Sequence, residues 1–332
     1  MKLEVGKIPN AILEKLLFKF SEPQRKEVLT KPGIGEDCAA IDFADDICVI
    51  TTDPITGADD EVGILGIHIA CNDLASSGAE PVGILVTILA PAGTELDTIE
   101  KLLNQIKEVS AAMKIDVIGG HTEVTDAVNR MVLSITAIGK AKNDKLINTK
   151  GAKPGDSIIF TKYAATEGTA ILSWLFEKEL NKEFGEEFVN TTKNLISSIS
   201  VVKEGLLAAQ FNVSSMHDVT EGGVLGALWE IGTASGYGFK VNKNKIPILE
   251  ETRRLCDFLS LDPLKLISSG SMIITTPNGS ELLKILHENN IKATEIGCIT
   301  FEKEFLLIDG EDIVKINSVE SDELYKARKM KG

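Results

Sequence analysis

The stretch MKIDVIGGHTEVTDAVNR, residues 113–130, decides how the first half of the chain is read. Ile115, Val117 and Ile118 predict a short buried strand, which runs into Gly119-Gly120 and then into His121, Thr122 and Glu123. An apolar strand that meets two glycines and a carboxylate has two readings. One is a turn followed by a solvated face. The other is a ligand site at the strand's carboxyl end, where glycines let backbone N–H groups approach a bound group. One stretch does not choose between them, so the neighbouring segments are read for the same pattern.

Upstream, TELDTIEKLLNQIKEVSAAM (94–113) predicts an amphipathic helix, opened by Thr94 with Asp97 three residues on in a capping-box-like start. VGILVTILAP (82–91) is a strongly apolar strand, and EVGILGIHIACNDLASSGAEP (61–81) carries apolar residues at helical spacing and ends near Gly78. DICVITTDPITG (46–57) is a strand stopped at Asp53-Pro54, because proline donates no ladder hydrogen bond. LTKPGIGEDCAAIDF (29–43) reads as a glycine-broken loop running into a strand, and IPNAILEKLLFKF (8–20) as an amphipathic helix.

Downstream, NRMVLSITAIGKA (129–141) is a further strand, followed by the polar, lysine-rich KAKNDKLINTKGAKPGD (140–156). That composition change marks a domain boundary. The expected organisation is a first domain over 1–140, a second over 150–310 and a charged tail over 311–332. In the second half, SIIFTK (157–162), GFKVN (238–242), SMIITTP (271–277), ATEIGCIT (293–300) and EFLLID (304–309) read as strands. TAILSWLFEKEL (169–180), a longer stretch from about 186 to 211, and GSELLKILHENN (279–290) read as helices, and VSSMHDVTEGGVLGALWEIGTASG (213–236) as a strand end, a polar loop and a helix. Both halves mix strands and helices, which predicts two α/β-type domains, each a sheet covered by helices.

The chain has 332 residues, too many for one ordinary core, and its 43% hydrophobic and 25% charged residues are those of a globular protein. A net charge of −14 repels phosphate backbones and excludes nucleic acid as a general partner. No apolar run approaches the roughly 20 residues that cross a bilayer. Glu4, Glu14 and the interspersed lysines break any signal-peptide pattern, and the five cysteines (38, 48, 71, 256, 298) show no CxxC pairing. Together these predict a reduced, cytoplasmic location without zinc knuckles or a disulfide framework.

Six acidic positions share the context of the opening stretch: Asp37 in GIGEDCAA, Asp53 in ITTDP, Asp73 in CNDLASSG, Glu123 in GGHTEV, and Asp218 and Glu221 in HDVTEGG. Each ends an apolar segment beside glycine, proline or a small residue. Carboxylates gathered around a phosphate need a cation between them, and hard oxygen donors select Mg²⁺ or Ca²⁺. Taken singly, Asp53 and Asp73 read as turn residues, while Glu123 and Asp218 balance between turn and ligand. There is no GxxxxGK[ST], and Gly33-Ile34-Gly35 is too short for a dinucleotide fingerprint. His68 reads as structural, and His121 and His217 as capping or proton-transfer groups beside candidate carboxylates. Cys38 and Cys71 read as packing residues, and Lys162 as a solvated strand end or a phosphate contact.

Taken in order, GIGEDCAAID, TTDP, CNDLASSGAEP, GGHTEV, KPGDSII and HDVTEGGVLGAL resemble the aminoimidazole-ribonucleotide-synthetase superfamily over nearly the whole chain. That superfamily includes selenophosphate synthetase, thiamine-monophosphate kinase and the carbamoyl dehydratase of hydrogenase maturation, and the sequence is most similar to the last. The resemblance implies the two-domain PurM-like fold, α/β in class. A mixed N-terminal sheet with helices pairs into a barrel across a homodimer, and a C-terminal α/β domain follows. It implies ATP with Mg²⁺, a small acceptor phosphorylated on oxygen, and a further maturation protein as partner. Carried over by motif, Gly35, Asp37, Asp53, Asn72, Asp73, Gly119, Gly120, Thr122 and Glu123 would bind the nucleotide. Asp37, Asp53, Asp73, Glu123 and Asp218 would hold metal, and His121, Asp218 and Glu221 would be catalytic. The sequence departs from the family in places. Its last cysteine is Cys298, so chemistry on a terminal thiolate is not expected, and Glu123 and Glu221 stand where kinase relatives carry aspartate. A thiamine-monophosphate-type kinase and a nucleotide-binding assembly partner without turnover remain the alternatives.

Overall fold

The computed structural model describes residue 29 and residues 38–43, 46–55, 61–142 and 145–331. The helix expected at 8–20 and the motif residues Gly35 and Asp37 lie outside the described residues.

The first sheet holds β1 (Ala39–Phe43), β2 (Asp46–Ile55), β3 (Glu80–Pro91), β4 (Asp116–Thr125) and β5 (Val132–Lys142) in the order β1-β2-β5-β3-β4. All neighbours are antiparallel except β3 and β4, which run parallel. The crossover between those two is α2 (Leu96–Met113). Its predicted cap is not used: Glu95 occupies the cap position, and the Thr94 hydroxyl turns back to donate to Pro91 O at 2.7 Å.

One face of this sheet is sealed by α1 (Val62–Ser76). Leu133, Ile135 and Ala137 of β5 alternate inward against it, as a half-buried strand requires. Gly66 lets the helix approach closely, since a Cβ there would stand 3.1 Å from Ile135 and Leu133 side-chain atoms. The other face has no cover among the described residues, and Leu85 and Val82 are exposed on β3.

The second sheet has the order β12-β11-β8-β10-β6-β9-β7. Its strands are β6 (Ser157–Thr161), β7 (Ser215–Asp218), β8 (Gly238–Asn242), β9 (Met272–Thr276), β10 (Ala293–Thr300), β11 (Phe305–Asp309) and β12 (Asp312–Lys315). β6 and β9 are buried on both faces, with Ile158 and Phe160 in one core and Ile159 in another. The helices are α3 (Thr166–Leu175), α4 (Glu177–Phe184), α5 (Glu186–Lys193), α6 (Val202–Ala208), α7 (Gly223–Ser235), α8 (Glu250–Leu259), α9 (Gly279–Glu288) and α10 (Glu323–Lys331).

Four expectations are corrected. The helix read over 169–180 ends at Leu175 and restarts as α4, and the 186–211 region breaks into α5, a 3₁₀ turn over Asn194–Ser198 and α6. Residues 311–332, read as a charged tail, include β12 and α10, whose Leu324 and Ala327 are buried. The strand read as short and buried, ending at Gly119-Gly120, instead runs on through the glycines to Thr125 as the exposed edge of the first sheet. Gly120 is required there: its φ is +149°, and a Cβ would stand 1.9 Å from Val86 O.

α1 belongs to both halves. It packs on β2, β3 and β5 on one side and on α2, α6 and β7 on others. One continuous core therefore runs from the first sheet through α1 into α3, α5 and α8. The closest approach is Gly205 of α6, where a Cβ would lie 2.4 Å from Ala75 O. Gly205→Val is expected to lower stability by about 1–3 kcal/mol through overpacking at this crossing, read as a lower urea midpoint at unchanged slope. An unchanged midpoint would contradict the crossing.

Candidate functional site

The strand β2 puts Thr51 and Asp53 on one face by its period of two, and that face looks toward α1. The α1 helix brings Asp73 to the same place. Thr51 Oγ1 donates to Asp73 Oδ2 at 2.7 Å and stands 3.5 Å from Asp53 Oδ2. Asp73 is buried and Asp53 partly so. Two carboxylates beside one hydroxyl make an all-oxygen donor set of the kind that favours a divalent cation. Oxygen donors of this kind fit Mg²⁺, which takes one or two protein carboxylates and fills its shell with water and phosphate. Among the described residues, no three His, Cys, Asp or Glu side chains stand close enough to hold a metal together. The pair is therefore what the described chain offers.

The remaining candidates lie elsewhere. His121 and Glu123 pair with each other, Nε2 to Oε2 at 3.2 Å, and both are exposed. β4 pairs His121 with Thr87 and Glu123 with Leu89, which belong to the uncovered face of the sheet. Glu123 thus looks away from Asp53 and Asp73 of its own chain. Thr122, opposite the buried Ile88, and Gly120, opposite Val86, fall on the α1 side, and Gly119 lies beside them on the same edge strand.

Asn72 was expected to bind the nucleotide. It is instead fully buried and bonded to backbone of the second half: Nδ2 donates to Ile199 O and Val201 N donates to Oδ1, both at 2.8 Å. Asp218 and Glu221, expected to act together, are separated by the turn they occupy. Asp218 is completely buried at the end of β7, next to His217, whose Nε2 lies 2.9 Å from Glu230. Glu221 accepts a hydrogen bond from Tyr325 Oη of α10 at 3.2 Å. The glycines after it pack rather than cradle a ligand. Gly223, at φ +62°, would place a Cβ 2.6 Å from Leu264 O, and Gly222 N donates to Asp322 Oδ2 at 2.7 Å. A helix N-terminus that could hold an anion is thus filled by the chain's own carboxylate.

Three polar residues of this region escaped the sequence reading. Thr51 could have been found, because it precedes Asp53 by two and must share its face. Asp322 and Glu167 could not, since they meet Glu221 only after folding. Burial pushes the Asp322 carboxyl up to about 7 against the opposing effect of its backbone N–H bonds, and burial likewise raises Glu167. Lys162, read as solvated, is mostly buried and pairs with Glu204 at 3.0 Å. On α1, desolvation first and the nearby Lys162 second press His68 down to about 4, and its Nδ1 has no hydrogen-bond partner among the described residues. Cys71, read as packing, is buried with its thiol pushed up to about 12 by desolvation, so it is inert as a nucleophile at neutral pH.

With this geometry in hand, the comparisons with known proteins agree on one class. Family models for the N-terminal and C-terminal domains of AIR synthase related proteins match residues 35–141 and 153–309, and the chain belongs to that family. Within it, the chain is 29% identical over 317 residues to a hydrogenase expression/formation protein of Methanocaldococcus jannaschii, covering 92% of this chain and 91% of the other. It is 27% identical to the carbamoyl dehydratase HypE of Rhizobium leguminosarum bv. viciae, over 78% and 75% of the two chains. Among solved structures, a HypE–HypF complex superimposes with a TM-score of 0.77 at 20% identity, over 93% of this chain and all of that one. HypE in complex with ATP gives 0.68 at 21% identity, over 93% and 91%. At these identities the superpositions establish the two-domain PurM-like fold.

The two perturbed groups pull stability in opposite directions with pH. A histidine held below its unfolded pKa costs stability as pH falls from about 6.5 to about 4, and a carboxyl held above its unfolded pKa costs stability as pH rises from about 4 to about 7. His68→Leu should therefore gain on wild type as pH falls through the first window, and Asp322→Asn should gain on wild type as pH rises through the second. Urea unfolding of the three proteins at half-unit pH steps checks both signs.

Proposed function

We propose that the chain is an ATP- and Mg²⁺-dependent enzyme that phosphorylates an oxygen of a small acceptor, of the hydrogenase-maturation carbamoyl dehydratase type. The observation that carries the reading is the Asp53–Asp73 pair joined through Thr51, in a chain of net charge −14 that matches ATP-using relatives along most of its length. Mg²⁺ bound there supplies the positive charge that lets a triphosphate approach the carboxylates. Asp53 and Asp73 would hold the ion, with Asp37 as the further carboxylate that the motif resemblance assigns. The acceptor oxygen attacks the γ-phosphorus as the bond to the ADP oxygen breaks, and the chain contributes placement and charge balance. On this reading His121 and Glu123, which lie on the opposite face of the sheet from Asp53 and Asp73, serve proton transfer in a site completed by a second copy. Asp218 and Glu221 support the fold around the site.

The second part of the reading is a homodimer. Among the described residues, the face of the first sheet that carries Leu85, His121 and Glu123 is uncovered, and β4 exposes Val117, Ile118 and Val124 along an unpaired edge. Such an edge is a template for pairing with another strand. The HypE–HypF complex supports a further maturation protein as partner. No helix among the described residues is long and apolar enough to cross a membrane.

Calorimetry with ATP and Mg²⁺ tests the first part. Wild type is expected to bind, with Asp73→Asn weakened at least tenfold and its ADP release abolished; a wild type that binds no ATP overturns the proposal. Sedimentation equilibrium tests the second. The wild type is expected at twice the chain mass and Leu85→Lys/Val117→Lys at the single mass, whereas a monomeric wild type at tens of micromolar sinks the dimer.

A further inference from the structure

The asparagine of the CNDLASSG motif is committed to the other half of the chain. Both polar atoms of the Asn72 side chain go to backbone of the other domain, Nδ2 to Ile199 O and Oδ1 from Val201 N. This two-point pairing is what a β-strand offers its neighbour, made here by one side chain. The same segment is gripped from its opposite side by Lys162, whose Nζ donates to Ser198 O at 3.0 Å and Ser200 O at 2.5 Å and pairs with Glu204 of α6. Successive carbonyls therefore alternate: Ser198 and Ser200 face Lys162, and Ile199 faces Asn72. The segment 198–201 leads directly into α6, whose Gly205 crosses α1 at Ala75, just under one turn beyond Asn72.

We infer that Asn72 is a positioning residue that fixes where the Asp53–Asp73 pair stands relative to the second domain. Asn72 and Asp73 are consecutive on one helix, so a shift in the Asn72 joint moves Asp73 with it. A ligand that touches both domains reads that spacing. The inference deepens the ATP reading above and rests on it for its functional half. Its structural half stands on the joint alone. Asn72 makes no bond to Asp53, Asp73 or Thr51, so it acts through placement and not by touching the ligand.

The test couples a distance to a kinetic split. Spin labels at Glu100 of α2 and Glu281 of α9, both exposed, report the spacing of the two domains once Cys48 and Cys298, the cysteines that are not buried, are changed to serine. With the labelled chain diluted into excess unlabelled chain, so that each proposed dimer carries at most one labelled copy, double electron–electron resonance should give one narrow distance for the parent. It should give a shifted or clearly broadened distribution for Asn72→Ala, and the parent distribution for Asp73→Asn. In the steady state, Asn72→Ala should raise KM for Mg²⁺-ATP at least tenfold while kcat falls less than threefold, because saturating ligand restores the spacing that the joint no longer holds. Asp73→Asn should instead lose kcat. Asn72→Asp keeps the acceptor for Val201 N and should fall between parent and Asn72→Ala; it decides the matter should Asn72→Ala fail to fold. A parent-like distribution in a folded Asn72 variant overturns the inference. A parent that binds no ATP overturns the ATP reading, and the distance distribution then judges the joint by itself.

Discussion

A helix that is apolar on every side has to be covered on every side, and α1 is such a helix. Eleven of its fifteen residues are buried, including Asn72, Asp73 and Ser76. A single sheet covers only one stripe of a helix, so the first sheet alone cannot satisfy it. The second domain supplies the rest through α6 and β7, and glycines at positions 66 and 205 allow the contacts to close to backbone distance. Once α1 is enclosed, the two domains have one relative position. The candidate site inherits its geometry from that enclosure.

The enclosure also explains why polar groups gather here. Burying a side-chain amide without partners costs about 1–3 kcal/mol, so Asn72 is tolerable in the core only because Ile199 and Val201 meet it. The acids follow the same rule by different means. Asp73 takes the Thr51 hydroxyl, Glu167 takes Ser269 N, and Asp322 takes Gly222 N and Leu324 N. These arrangements differ in what they leave open. The Asp322 carboxylate spends both oxygens on backbone in a buried site, whereas Asp53 remains partly exposed beside Asp73.

The outer face of the first sheet is the counterpart of that enclosure. α1 and α2 cover one face, and nothing among the described residues covers the other. The period of two along β4 sends Thr122 toward α1 and sends His121 and Glu123 to the uncovered side. A metal set drawn from every motif carboxylate of one chain is ruled out by that alternation, since Glu123 and Asp53 look in opposite directions. A second copy laid on the open face would bring its own side chains to His121 and Glu123 and would pair the β4 edge.

Much of this was legible in the sequence, because hydrophobic period is local. The strands of both domains other than β12, the α1 and α2 helices and the change of composition near residue 150 follow from residues within a few positions of one another. The motif order carried the family, and Thr51 was within reach of the same two-residue period that places Asp53. Other features depended on partners far away in the chain. Nothing near Asn72 announces that residues 199 and 201 will take its amide, and nothing near Glu221 announces Tyr325. The glycine pairs looked alike in the sequence, yet one lies in an edge strand pressed against Val86 and the other packs a helix start against Leu264. The sequence by itself determined the elements, the acids and the family, since each is written in short-range pattern. Only the tertiary structure decided which acids meet and which asparagine becomes a joint, because those outcomes depend on which surfaces α1 forces together.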